Sequence, residues 1–434
     1  MEIRDNYRVL DSTGVKTLCA SLLQRGELHI AMDTETYYDE AHTITDSGKP
    51  VIARFIDSRP QNKPFCLTMY VLEDELGYYI KEEDLHLLKD LLVGKDIHKI
   101  FHNLNYDAHM LLNVDLKLEH NLHDTMALAQ LTDEERECKR PDKDGKPQPP
   151  KMSKALKNLG YHFLGEDAHE YEEAVLAVRV ALAIERNCHK DDISYKDVML
   201  ADFSLMVNYA VFDTELTGRL FPILMADAVS QDLLRPYGID MGAVVSGVNI
   251  ERNGMKVDID KAKLWQEEMQ SRIGELKSTL AELMGGNEDF NPNSANELVM
   301  AYEMLYGVSE WTHMTDKGEY STTAQVLKQF FCLDDDMTAF TNLILELRTV
   351  EKMCNTFVDG ILFFVQHTGR VHPNFHVVAN DFGRGGTVTG RLSSSNPNFQ
   401  NFPKEPFTIG EKAYDIRELF VADEGRIFVY MDAD

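Results

Sequence analysis

Short apolar runs alternate with amphipathic stretches through the first half of the chain. LHIAMD (28–33), CLTMYVL (66–72) and GYYI (77–80) read as strands, LHLLKDLLVG (85–94) as a helix and HKIFHN (98–103) as a further strand. This alternation predicts an α/β domain with a central sheet and helices packed against it. Helical spacing then prevails from about 152 to 226. Near 226–260 the character changes: NIERNGMKVD (249–258) predicts a strand–turn–strand with Asn-Gly at the turn. A long charged amphipathic helix follows over roughly 260–284. Another starts behind a Ser294 N-cap within 291–305, and a further helix runs near 337–366. There is no internal repeat, no low-complexity segment and no apolar run of membrane-spanning length.

Composition narrows the class. A chain of 434 residues exceeds one core and suggests two or three domains, and 44% hydrophobic residues exclude a disordered protein. The first residues, MEIRDNYRVLDSTG, carry charge and lack an apolar signal segment. The six cysteines are far apart with no Cys-x-x-Cys pair, which predicts free thiols in a reducing cytoplasm. A net charge of −28 excludes a simple nucleic-acid coat, because phosphate contacts need local positive charge. It leaves open an enzyme that sets carboxylates around metal ions and gathers Lys and Arg locally. Lys139–Lys157 is such a gathering, with seven basic and two acidic residues among four prolines. It reads as a basic loop entering a helix, and either a DNA contact or a solvated linker accounts for it.

Three carboxylate motifs follow in order. In MDTET (32–36), Asp33 and Glu35 are two apart at the end of the predicted strand, so both leave one face at a solvent-facing end. Adjacent carboxylates repel unless a cation lies between them, which suits a Mg²⁺-type site. In HNLNYDAHML (102–111), Asn103 and Asp107 are spaced i, i+4, as are Tyr209 and Asp213 in NYAVFDTELTGRLF (208–221), so each pair shares a helix face. Alone, each motif also describes an ordinary strand end, helix start or packed helix.

Together, in this order inside one α/β domain, they resemble the 3′–5′ proofreading exonuclease of the DnaQ-like (DEDDy) superfamily, in the form found in family A DNA polymerases of the phage and bacterial DNA polymerase I type. MDTET, NLNYD and YAVFD match its three motifs, with HDTM (123–126) between the last two, and the likeness covers roughly 25–222. It implies an RNase H-like fold with a mixed central sheet. It also implies that Asp33, Glu35, Asp107 and Asp213 hold two divalent ions (Mg²⁺ or Mn²⁺) around a scissile phosphate. Tyr209 would orient the attacking water and Asn103 would hold the terminal nucleotide of a single-stranded DNA 3′ end.

The second half extends the likeness. TGRLSSSNPNFQN within 376–403 resembles the family A segment along the primer–template minor groove, and TGRVHPNFH, LILELRTVEKM and ERNGMKVD also fit. Arg391 would then reach minor-groove acceptors, and Asn398, Gln400 and Asn401 the primer–template near the active site. ELFVADEGRIFVYMD (418–432) resembles the approach to the first palm motif, with Asp432 as a polymerase-site Mg²⁺ ligand. The implied organisation is an exonuclease domain over 1–225, a connection and mainly helical thumb over 226–345, and an incomplete α+β palm over 346–434. Fingers and the second palm aspartate are not among these residues. DNA synthesis would then need a second polypeptide carrying the rest of the palm and the fingers. The alternatives are a DNA-binding subunit with a vestigial exonuclease, or a fragment of a single-chain polymerase. The expected setting is the cytoplasm of a bacterial or phage-infected cell.

Overall fold

The computed structural model describes residues 2–38, 62–133, 137–138, 145–146, 151–330, 335–365, 368–378, 387, 390–429 and 431. Asp432 and most of the basic stretch 139–150 lie outside the described residues. The chain packs as two compact units, Met1–Asn253 with Pro373–Ser395, and Gly254–His372 with Asn396–Asp434.

The first unit is built on a six-stranded sheet ordered β1-β4-β3-β2-β5-β6. Its strands are β1 (Tyr7–Val9), β2 (Leu28–Tyr38), β3 (Asn62–Val71), β4 (Leu76–Lys81), β5 (Ile97–Phe101) and β6 (Leu122–Asp124). β3 runs antiparallel to β2 and β4, while β1/β4, β2/β5 and β5/β6 are parallel. This is the mixed central sheet that the sequence pattern predicts. Ile30, Met32, Leu67, Met69, Ile80 and Ile100 are all fully buried. Burial on both faces explains why these strands read as continuous apolar runs.

Among the described residues the unit has nine α-helices: α1 (Ser12–Gln24), α2 (Lys89–Leu92), α3 (Leu104–Leu112), α4 (Thr125–Thr132), α5 (Leu156–Leu164), α6 (His169–Arg186), α7 (Tyr195–Ala201), α8 (Phe203–Ser230) and α9 (Leu234–Asn253). The helix expected over 85–94 is instead a 3₁₀ segment, Glu82–Leu88, leading into the single turn of α2. Among the described residues no helix is long and apolar enough to cross a membrane. Cys19, Cys66 and Cys354 are buried free thiols, and Cys188 is exposed.

α8 organises the unit. Asp202 caps its start, accepting from the Leu205 N–H at 2.9 Å. Leu205, Met206, Val207, Ala210, Val211, Leu216 and Leu220 are all buried, so the helix is apolar nearly all round. It reaches the sheet through two glycines. A Cβ at Gly218 would lie 2.8 Å from the Tyr70 ring, and one at Gly77 of β4 would collide with Val211. The hydroxyls of Thr68 on β3 and Thr214 on α8 bond to each other at this contact.

Two further expectations change. The strand–turn–strand at 249–258 is a helix running through Asn253, followed by a turn at Gly254 with φ +57°. A Cβ at Gly254 would lie 2.6 Å from the Val371 carbonyl oxygen, so glycine answers both the conformation and the space. Met255–Lys256 then pairs with Arg370–Val371 far along the chain, because the residues before Gly254 are committed to α9. The two compact units also cut across the three expected segments. α9 stays with the first core through Tyr237, Met241, Val244 and Val248, and strands Asn374–His376 and Ser393–Ser395 pair with each other in that same unit.

In the second unit the long helix Ile259–Leu283 and the helix Ala295–Tyr306 stand where expected, the latter capped by Ser294. Asp335–Glu351 continues through a π-helical stretch, Lys352–Val358, into Asp359–Phe364. Trp265, Val350, Phe357 and Leu419 belong to one of its cores, and Leu276, Tyr302, Phe340 and Leu347 to another.

Gly77→Ala should force α8 off the sheet and lower stability by about 1–3 kcal/mol, the usual cost of overpacking. A denaturant melt checks this; an unchanged midpoint would show that the close approach of α8 is not a constraint.

Candidate active site

β2 carries the first two carboxylates. Asp33 pairs in register with Thr68 and Glu35 with Cys66 of β3, and a bulge follows between Glu35 and Thr36. The strand continues to Tyr38, so these residues sit mid-strand and Glu35 is buried. The solvent-facing strand end expected from the sequence is therefore corrected. The long pairing with β3, invisible in the local pattern, extends β2 past its acids.

α3 brings the third. Asn103 lies just outside the helix in the left-handed region, φ 73°, so it does not share a helical face with Asp107 as the i, i+4 spacing suggested. The buried Asp124 accepts from the N–H groups of Asn103 at 3.0 Å and Leu104 at 2.9 Å, and caps its own helix through Met126 N–H at 2.8 Å. One carboxylate thus holds the starts of α3 and α4. Glu251 of α9, fully buried, fixes the next turn of α3. It accepts from Asn105 Nδ2 at 3.0 Å and His109 Nε2 at 2.6 Å, and also from Phe375 N–H. Asp107, so positioned, accepts from Thr34 N–H at 2.9 Å and Thr34 Oγ1 at 2.6 Å, which ties α3 to β2 between Asp33 and Glu35.

α8 supplies Tyr209 and Asp213, one turn apart. Lys157 of α5 reaches both. Its ammonium is 3.1 Å from Asp213 Oδ2, donates to Tyr209 Oη at 3.0 Å, and is 4.0 Å from Glu172. Tyr195 stacks on Tyr209 with ring centroids 5.6 Å apart.

The acids feel one another. Burial, with the Asp213 charge added, pushes Asp33 up to about 7. Burial and then Asp33 and Asp213 raise Glu35 well above the carboxylate range, and burial and then Asp33 raise Asp107 likewise. Tyr209 is raised by burial and by Asp213, so its hydroxyl stays protonated at neutral pH and cannot serve as a base. Burial opposes the charge of Lys157, but Asp213 and Glu172 outweigh it and hold the amine above its ordinary value.

Among the described residues no three His, Cys, Asp or Glu side chains converge on one point at metal-ligand spacing. Asp107 is turned to Thr34 and Asp213 to Lys157. The donor set itself fits a hard divalent cation: four carboxylates, two of them buried and three held above the ordinary carboxylate range, are oxygen ligands short of positive charge.

The remaining expected residues lie elsewhere. Arg391 is exposed in the first unit, with its backbone N–H bonded to Thr387 Oγ1 at 3.0 Å. Asn398, Gln400 and Asn401 are exposed in the second unit, on and beside a short 3₁₀ turn, Phe399–Asn401. Asp432 lies outside the described residues. Sequence reasoning missed Lys157, Thr34, Asp124 and Glu251 as parts of the site. Asp124-Thr125 ahead of an apolar run is a legible helix cap; the other three are recognisable only in the fold.

The family model for 3′-5′ exonuclease matches residues 7–228, and that for DNA polymerase family A matches residues 259–434. The chain belongs to family A of the DNA polymerases and includes a 3′–5′ exonuclease domain. It is 25% identical over 368 residues to the DNA polymerase of Escherichia phage T5, covering 79% of this chain and 39% of that protein. It is 26% identical over 397 residues to DNA polymerase DpoZ of Salmonella phage PMBT28, covering 86% of this chain and 57% of that protein. The chain therefore spans well under two thirds of the length of these curated relatives. The POL domain of Pol1 from M. smegmatis, solved in complex with DNA primer-template and dNTP, matches with a TM-score of 0.65 at 20% identity, over 96% of this chain and 59% of that one. At that identity the likeness is one of family A fold.

The raised Asp33 gives a signed prediction. Below about pH 4 Asp33 is protonated in both folded and unfolded chains; between about pH 4 and about 7 only the unfolded chain gives up that proton, so the folded, metal-free protein loses stability across this range and the loss is complete above it. Asp33→Asn, which cannot ionise, should match wild type at pH 4 and exceed it by about 1–4 kcal/mol at pH 8 in chelator, at 1.36 kcal/mol per pKa unit. Mg²⁺ should narrow that gap. Chemical denaturation at both pH values decides it, and a variant less stable than wild type at pH 8 in chelator contradicts the account.

Proposed function

We propose that this chain is a metal-dependent 3′–5′ exonuclease acting on single-stranded or frayed DNA ends, and the primer–template-binding part of a family A DNA polymerase. The observation that supports the first half is the set of four carboxylates on β2, α3 and α8 with Tyr209 one turn from Asp213. In this reading Asp33, Glu35, Asp107 and Asp213 hold two divalent ions, Mg²⁺ or Mn²⁺, which supply an activated water and neutralise developing negative charge. Tyr209 stays protonated, so its O–H can orient the water beside the phosphate. Asn103, held outside the helix by Asp124, presents its side chain to the terminal nucleotide.

The second half rests on family membership and on the exposed donors Arg391, Asn398, Gln400 and Asn401. Arg391 is suited to minor-groove acceptors that every base pair presents, so its grip would be independent of sequence. DNA synthesis in our reading also draws on residues that the longer relatives carry outside the matched region, on the same or a second polypeptide, with Asp432 as one metal ligand. A DNA-binding subunit with a vestigial nuclease is the weaker reading, because the acid set is complete and each of its elements is anchored.

The purified chain should shorten a single-stranded oligodeoxynucleotide from its 3′ end with Mg²⁺ or Mn²⁺ and not in chelator. Asp33→Ala with Glu35→Ala should cost more than the roughly 10–100-fold that loss of an outer-shell partner costs a metal site, with the fold kept. A double variant that digests DNA as fast as wild type would overturn the assignment.

A further inference from the structure

Lys157 is the residue of this site that neither the motifs nor the metal chemistry call for. It is the second residue of α5, a place where a cation opposes the helix dipole. Helix stability therefore does not explain it. Its surroundings do. α5 crosses α8 with a glycine at the contact: a Cβ at Gly160 would lie 3.2 Å from Leu216. Lys157 precedes Gly160 by three residues and Asp213 precedes Leu216 by three, so the crossing sets the amine over the carboxylate. The ammonium is 3.1 Å from Asp213 Oδ2, 3.0 Å from Tyr209 Oη and 4.2 Å from the centre of the Tyr209 ring, and its side chain is only 16% exposed. A positive charge thus lies against Asp213 and close enough to Asp33 and Glu35 to pull both of their proton affinities down.

We propose that Lys157 is the resident counter-cation of the acid cluster, holding Asp213 and Tyr209 in register before divalent ions arrive and competing with them for Asp213. This rests on the metal-dependent reading above and adds a positioning residue to it. An ammonium and a divalent ion held against the one Asp213 carboxylate at contact distance repel each other strongly. Ion binding therefore has to move the ammonium away from Asp213 Oδ2, onto Glu172 or out toward solvent. Lys157 thereby sets how much metal the site requires, and it keeps Asp213 ordered when metal is scarce.

The test is Mn²⁺ binding to the full chain without DNA, followed by calorimetry or by the loss of the free-ion resonance signal. Lys157→Gln should bind Mn²⁺ three- to tenfold more tightly than wild type, while Lys157→Arg, which keeps the charge, should stay nearer wild type. Equal or weaker binding by Lys157→Gln overturns the proposal. A wild-type chain that binds no Mn²⁺ overturns the metal reading beneath it, so the two failures are distinguishable. A second measurement needs no variant and decides the matter should Lys157→Gln not fold. Lys157 in wild type should react with an amine-acylating reagent several-fold faster in saturating Mn²⁺ than in chelator, read by mass spectrometry of its peptide. Equal or slower labelling in Mn²⁺ overturns the proposal.

Discussion

Like charges held close together and out of water are the constraint on which the first unit depends. Asp33, Glu35, Asp107 and Asp213 each raise, or are raised by, a neighbouring carboxylate. Burial, and then the neighbouring charge, opposes the ionisation of such groups, which is why Asp33, Glu35 and Asp107 hold their protons above the usual carboxylate range. A site of this kind stays assembled only if the elements beneath it are fixed by contacts that do not involve the acids. The structure meets that demand at each element. β2 is paired on both sides, α3 is bound at its start by Asp124 and in its middle by Glu251, and α8 is seated through Gly77, Gly218 and the Thr68–Thr214 pair.

The same constraint gives the polar partners of the acids a common purpose. Thr34 donates twice to Asp107, and Lys157 lies against Asp213. Each quiets one member of the cluster without filling the space between members. In the proposed reading the acids await cations, as a centre whose chemistry depends on charge arriving from solution would. Tyr209, kept protonated by burial and by Asp213, can direct a water but cannot take its proton.

Much of this was legible in the sequence because it is local. Two-residue spacing on a strand puts Asp33 and Glu35 on one face wherever the strand lies, and four-residue spacing does the same for Tyr209 and Asp213 on α8. The order of the three motifs carried the family. What was not legible depends on contacts distant in sequence. Asp33 and Glu35 lie mid-strand because pairing with β3 extends β2 beyond its apolar run. Asn103 left the face of Asp107 because Asp124, about twenty residues on, bonds the backbone at the helix start. Asn253-Gly254 looked like a hairpin turn, but Glu251 is drawn into α9 by His109 and Asn105, and the chain can turn only after it. Lys157 looked like one more charge in a basic loop until the α5–α8 crossing placed it.

The account stands or falls on whether divalent ions enter between these carboxylates. Anomalous diffraction from Mn²⁺-loaded crystals of the chain measures that directly. The account predicts manganese bounded by Asp33, Glu35, Asp107 and Asp213, with Asp213 turned from Lys157 toward the ion. Crystals in saturating Mn²⁺ with no manganese among these four residues, and with the Lys157–Asp213 pair intact, would contradict it.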